Sequence, residues 1–236
     1  MKNYSLLICA LALFVASCSD DAQKSNSAEP IAGTDTPSVV ATKGMKPLKL
    51  VLPDYEKPGT PTPIVLPNLD RRTSGFNPEI MIPNDATNIA FQKTVTSSDD
   101  FPLSGELTQI TDGAKGAMEY VELPGGLQWI QIDLEKQSEI YAVAVWHRHD
   151  EYLAYKDVII QISDDPEFKT GVATLLNNDD DNSAGLGVGK DMTWEPSFFG
   201  RLIAASGSKA RYVRLYSDGN TKNETNAYCE VEVYGR

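Results

Sequence analysis

GGLQWIQIDLEKQSEIYAVAVWHRHD, residues 125–150, decides the fold class of this chain. In its first part Ile130, Ile132 and Leu134 alternate with Gln131 and Asp133. A period of two is that of a strand with one face on a core and the other in water. The second part, residues 140–146 (IYAVAVW), is apolar at almost every position, which suits a strand covered on both faces. The polar residues 135–139 between them are costly to bury and are expected to connect two separate strands.

Outward from this stretch the same pattern recurs. Residues 157–162 (DVIIQI) read as a strand closed by the turn SDDP at 163–166. Residues 212–216 (YVRLY) and 228–234 (YCEVEVY) alternate cleanly. In the last of these, Cys229, Val231 and Val233 are expected on one face, and Glu230, Glu232 and Tyr234 on the other. Cys229 then reads as a buried, inert thiol. No amphipathic helix of useful length breaks the series, so the class is all-β, a sandwich or barrel.

The chain has 236 residues, 41% of them hydrophobic, and a formal net charge of -12. That charge opposes binding to nucleic acid or to an anionic membrane through bulk electrostatics, and makes cations the natural partners. With 3 Cys, two of them near the N-terminus, no disulfide framework is available to the folded part.

Lys2 and the apolar run 6–16 (LLICALALFVA), too short to span a bilayer comfortably, read as a targeting segment. Residues 15–18 (VASC) resemble the bacterial lipobox, in which small residues precede a cysteine that becomes a lipid-modified N-terminus. An ordinary secretory cleavage site would leave Cys18 free; the polar run Ser19, Asp20 and Asp21 favours the lipobox. Residues 1–18 are therefore expected to be a lipoprotein signal peptide, with acylated Cys18 anchoring the protein to a membrane of the bacterial envelope, at the periplasmic face or the cell surface. Residues 19–85, rich in Pro, Ser and Thr, are expected to be a disordered tether, because proline at this density interrupts helices and central strands. Two apolar pieces in it, 48–52 and 64–66, are compatible with docking as edge strands and equally with hydrophobic beads on a disordered chain.

From Asn88 onward the motifs fall into a recognisable order: Asn88, Ile89 and Ala90; Thr111, Asp112 and Gly113; WIQIDL at 129–134; Trp146, His147 and Arg148; ARYVRL at 210–215; and EVEVYG at 230–235. In order and spacing they resemble the discoidin, or coagulation-factor 5/8 type C, domain. The resemblance implies an eight-stranded jelly-roll sandwich over residues 86–236, complete without the tether, that binds ligands through loops at one end. It implies a binding module and no enzyme. It also implies a structural calcium held by Asp112 and Glu230 with backbone carbonyls of the Asp112 loop, a chemistry consistent with calcium's need for six to eight oxygens.

Arg148 aligns with an arginine that sugar-binding relatives use on ring hydroxyls, and its planar fork of donors suits paired oxygens. His149 and Asp150 would add polar contacts there, and Tyr152 or Tyr155 a flat surface for the C–H face of a sugar. Where such relatives carry Trp-His after the Asp-Gly turn, this chain has Glu119 and Tyr120, so galactose specificity does not carry over.

Other features read plainly. The loop 177–191 (NNDDDNSAGLGVGKD) lacks the glycine and closing glutamate of an EF-hand and the spacing of a phosphate loop, and is expected to be a long mobile loop, with a cation or sugar contact as the alternative. His147 and His149 would share one face of a strand as a metal pair, but no third ligand stands at a metal-site spacing. The reading is a surface lipoprotein presenting a non-catalytic module for glycan or polysaccharide; a protein–protein adhesion module of an envelope complex is the alternative.

Overall fold

The computed structural model describes residues 44–54, 60–72 and 77–236. The signal segment with Cys18 and the first part of the expected tether lie outside the described residues.

The elements are β1 (Met45–Pro47), β2 (Met81–Pro83), β3 (Thr87–Asn88), β4 (Val95–Ser97), a 3-10 turn (Leu107–Thr111), β5 (Val121–Leu123), β6 (Leu127–His147), β7 (Ile159–Ser163), β8 (Ala173–Asn177), β9 (Arg201–Asp218) and β10 (Asn226–Gly235). β1 pairs with β2, and the other eight form one hydrogen-bonded set in the order β3-β10-β6-β9-β7-β8, with β4 on β6 and β5 on β10.

The stretch read as two strands is one bent strand. β6 runs for 21 residues, its middle kinked where Glu135 takes φ 69. Its register on β9 shifts between Asp133 and Ser138. The polar residues 135–137 stay exposed, so the chain changes direction there without leaving the ladder. Before the kink β6 pairs with β4 (Val95↔Ile132) and the end of β9 (Ile130↔Leu215). After it β6 pairs with β10 (Val143↔Val233) and the start of β9 (Val143↔Ile203). The two halves thereby enter opposite layers of an antiparallel sandwich. Ile130, Ile132 and Leu215 of one layer meet Val143, Val145, Ile203, Val231 and Val233 of the other in the main core.

The apolar run 140–146 is buried on both sides, as its composition requires. Ala142, Ala144 and Trp146 point away from the main core and, with Leu202 and Cys229, form a second cluster. Its lid is Ile80, Ile82 and Ala86, with Leu48 and Leu50 packed against it. Thus the described part of residues 44–85 lies on the sandwich, and the packed unit reaches back at least to residue 44, well before residue 86. Leu48 N–H donates to the Ile80 carbonyl at 2.8 Å, Leu202 N–H to Asn77 Oδ1 at 2.8 Å, and Asp70 N–H to the Thr193 carbonyl at 2.7 Å. Of the two apolar pieces, Leu48 and Leu50 dock while Val51 remains 76% exposed; Ile64 and Leu66 are half-buried. Apolar side chains placed two apart among prolines can still meet a sheet face, and leaving both surfaces wet would forgo about 25 cal/mol per Å².

The expected face of Cys229 is corrected by a bulge. Tyr228 opposes His147 and Glu230 opposes Trp146, so Cys229 is the extra residue. It joins the second cluster, whereas Val231 and Val233 line the main core. It is buried, and burial pushes its thiol pKa up, so it is inert as expected.

Candidate functional site

The β6–β7 loop (148–158) and the β9–β10 loop (219–225) emerge at one end of the sandwich and are zipped together. Thr221 N–H donates to the Ala154 carbonyl at 3.0 Å, and Ala154 N–H to Thr221 Oγ1 at 3.1 Å. Arg148 N–H, donating to the Ala227 carbonyl at 3.1 Å, fixes the point where the chain leaves β6.

From that point the Arg148 guanidinium is clamped. Nε and Nη2 donate to the two carboxylate oxygens of Asp150 at 2.8 and 3.0 Å, and Nη2 lies 3.2 Å from Glu151 Oε1. The guanidinium carbon stands 4.5 Å from the centre of the Tyr120 ring. Lys222 Nζ, 2.9 Å from Glu151 Oε2, ties in the neighbouring loop. The Asp150 hydrogen bonds raise the Arg148 pKa further above its ordinary value, against the opposing effect of burial. Nη1 makes no hydrogen bond among the described residues. The result is a rigid donor group over an aromatic ring, with carboxylates and an ammonium beside it.

The residues expected to share this site divide between it and the interior. Asp150 belongs to it, as the clamp that holds Arg148; the ion-pair partner is therefore local. Tyr152, in the same loop, is half-buried. His149 and Tyr155 are turned inward, which corrects their expected role as surface contacts. His149 is 1% exposed, with Nδ1 at 3.1 Å from the His147 carbonyl. Tyr155, 3% exposed, stacks on the His147 ring with centroids 4.4 Å apart, and so offers no free face for a sugar. Both are floor beneath the loop. His147 is enclosed by the rings of Tyr155, Trp194 and Tyr228, and neither of its nitrogens has a hydrogen-bond partner among the described residues. Burial lowers its pKa to about 3, which keeps the ring neutral. Three contributors lay outside the expected set: Tyr120, Glu151 and Lys222. Tyr120 was visible only as a departure from the Trp-His of sugar-binding relatives, and Glu151 and Lys222 carry no distinguishing pattern.

The expected calcium ligands are Glu230 of β10 and Asp112, the residue that ends the 3-10 turn. Glu230 is fully buried, its Oε2 accepts from Gly113 N–H at 3.1 Å, and its Oε1 has no hydrogen-bond partner among the described residues. Burial pushes its pKa up to about 9, and the nearby Glu232 and Asp112 charges add to the rise. Asp112, in the same loop, accepts from Ala114 N–H at 2.8 Å. An orphaned carboxylate oxygen beside a second carboxylate fits an oxygen-loving cation.

Residues 109–193 match the model of a family described as NedA-like, galactose-binding domain, a span short of half the chain. No curated protein matches the chain. Solved structures resemble it at low identity. A chitosan-binding module of a chitosanase/glucanase from Paenibacillus sp. IK-5 has 23% identity and a TM-score of 0.44, covering 63% of this chain and 99% of that one. A family 32 carbohydrate-binding module from Clostridium perfringens NanJ, solved with galactose, has 12% identity and a TM-score of 0.46, covering 63% and 97%. A pectin-binding module has 19% identity and a TM-score of 0.46, covering 61% and 91%.

Proposed function

We propose that this chain is a non-catalytic carbohydrate-binding module carried on a membrane-anchored lipoprotein of the bacterial envelope, with Cys18 as the lipid-bearing residue. The observation that carries the binding reading is the Arg148 guanidinium, clamped by Asp150 and Glu151 over Tyr120 at the loop end of the sandwich. The galactose-binding family model spans this whole loop. With Nε and Nη2 held by the carboxylates, Nη1 is the group left to donate to sugar hydroxyls, and its side-chain entropy is already spent before the ligand arrives. Each hydrogen bond contributes about 0.5–1.5 kcal/mol net, so one such site implies affinities from tens of micromolar to millimolar. Calcium at Asp112 and Glu230 would act as a staple between the 3-10 turn and β10, and chelation should then lower the melting temperature.

A glycan array followed by titration of the best sugar tests the reading. Arg148→Ala should weaken that binding tenfold or more while the melting temperature stays near that of the parent. Unchanged sugar affinity would move the site to another loop. The exposed Phe101, Leu103 and Met118 favour the second reading, a protein-binding adhesion module, and an array with no hit would leave that one standing.

A further inference from the structure

The loop read as mobile surface chain is tied down by its own bonds. Gly189 N–H donates to the Asp179 carbonyl at 2.6 Å, and Lys190 and Asp191 N–H groups donate to the Asn177 carbonyl at 3.1 and 3.0 Å. So closed, the loop carries Asp179 and Asp181 up against Asp157, which precedes β7. One carboxylate oxygen from each lies within 4.8 Å of the other two. Asp179 is fully buried, and among the described residues none of the three makes an ion pair. Ser183 is the donor they share: its N–H donates to Asp179 Oδ1 at 3.0 Å and to Asp181 Oδ1 at 2.9 Å, and its hydroxyl to Asp157 Oδ2 at 3.0 Å, so among the described residues the cluster has neutral donors but no cation.

A second feature points into the same place. Asp157 and Asp181 line a cavity of about 360 Å³ whose other wall includes Leu66, Pro67 and Asn68 of the docked segment. Asn178, 1% exposed, lines it too. Its amide orientation is set, because Oδ1 accepts from Val158 N–H at 2.6 Å. Its Nδ2 is then a buried donor with no acceptor among the described residues. A buried amide donor left without a partner costs about 1–3 kcal/mol, so an acceptor oxygen belongs in front of it.

We infer that Asp157, Asp179 and Asp181 bind a divalent cation of the calcium class, whose remaining coordination is filled by water or hydroxyl oxygens in the cavity, one of them accepting from Asn178 Nδ2. Calcium takes oxygens at about 2.3–2.6 Å, so two ligands on opposite sides of one ion stand about 4.8 Å apart, the limit that the three carboxylates meet. One cation would relieve three like charges held together in a partly dry site, where mutual repulsion is poorly screened. The site is separate from Asp112 and Glu230. It would fasten the 178–191 loop to the β6–β7 loop, the loop that also carries Arg148.

Titration of the whole chain with calcium chloride tests this. Asp157→Asn and Asp181→Asn are the variants of choice: asparagine tolerates the φ of 51 at position 157, and Asp181 is exposed. Each should weaken one calcium-binding event tenfold or more, with the melting temperature in chelator unchanged. Glu230→Gln should leave that event in place. The inference is overturned if the calcium isotherm survives both aspartate substitutions, or if Glu230→Gln alone removes all calcium binding.

Discussion

The two outer faces of this sandwich are built on opposite rules. Outside the layer of β7 and β8, Arg211 holds the Asp133 carboxylate through two bonds of 2.8 Å. On the same face Arg214 lies between the Trp129 and Phe168 rings, 4.3 Å from each centre, and bonds Gln131. That face is polar and needs no cover. Outside the other layer, Ala142, Ala144, Trp146, Leu202 and Cys229 form a face that water would penalise, and Leu48, Leu50, Ile80, Ile82 and Ala86 cover it. Strand composition thus reports on more than the strand. A fully apolar run demands a second partner, and here the partner is a proline-rich segment whose own composition reads as a spacer.

Removing the cover is the strongest way to break this contrast. A chain starting at residue 87 should lose several kcal/mol, at about 1.5–3 kcal/mol for each fully buried Ile or Leu, and should aggregate on heating. Limited proteolysis of the whole chain should correspondingly stop near residue 44. A shortened chain that melts like the whole one would make the cover ornamental.

Acid sharpens the contrast more gently. Asp70 lies in the cover; its hydrogen bonds to Arg72 lower its pKa to about 2, and Arg201, 3.7 Å away on β9, adds to the effect. A depressed carboxyl pKa stabilises the folded state above the unfolded value of about 3.9, and that contribution disappears as pH falls to about 2. Because Arg72 is half exposed, screening holds the effect to about 1 kcal/mol. The midpoint of urea unfolding should fall between pH 4 and 2, and Asp70→Asn should flatten that part of the decline.

The smallest effect belongs to the wet face. Asp133→Asn should cost no more than about 1 kcal/mol in urea, because the Asp133–Arg211 pair is partly exposed and the face has no cover to lose. A larger loss would mean that the polar face, too, is structural.

Much of the site was legible as far as the loop and no further. The end of the apolar run at Trp146 announces that the following residues leave the core region, and Arg148 and Asp150 do stand at the loop end. Whether His149 and Tyr155 turn outward was not legible. A histidine two residues past the strand, or a tyrosine eight residues past it, carries the same local pattern whether its ring lies on a core or in water. The bulge at Cys229 is similarly invisible, since one inserted residue changes the face without changing the composition.

What the sequence determined by itself is the all-β class, the core face of the alternating strands apart from the bulge at Cys229, and the demand for a second cover over 140–146. These depend on the hydrophobicity of residues one and two apart, which any chain displays locally. Only the tertiary structure decided which segment supplies the cover, that Tyr120 lies under Arg148, and that Asp157 joins Asp179 and Asp181 from 22 and 24 positions away. Those meetings depend on how two long strands bend between layers and where their loops are brought back, and no pattern of near neighbours encodes a distance across the fold.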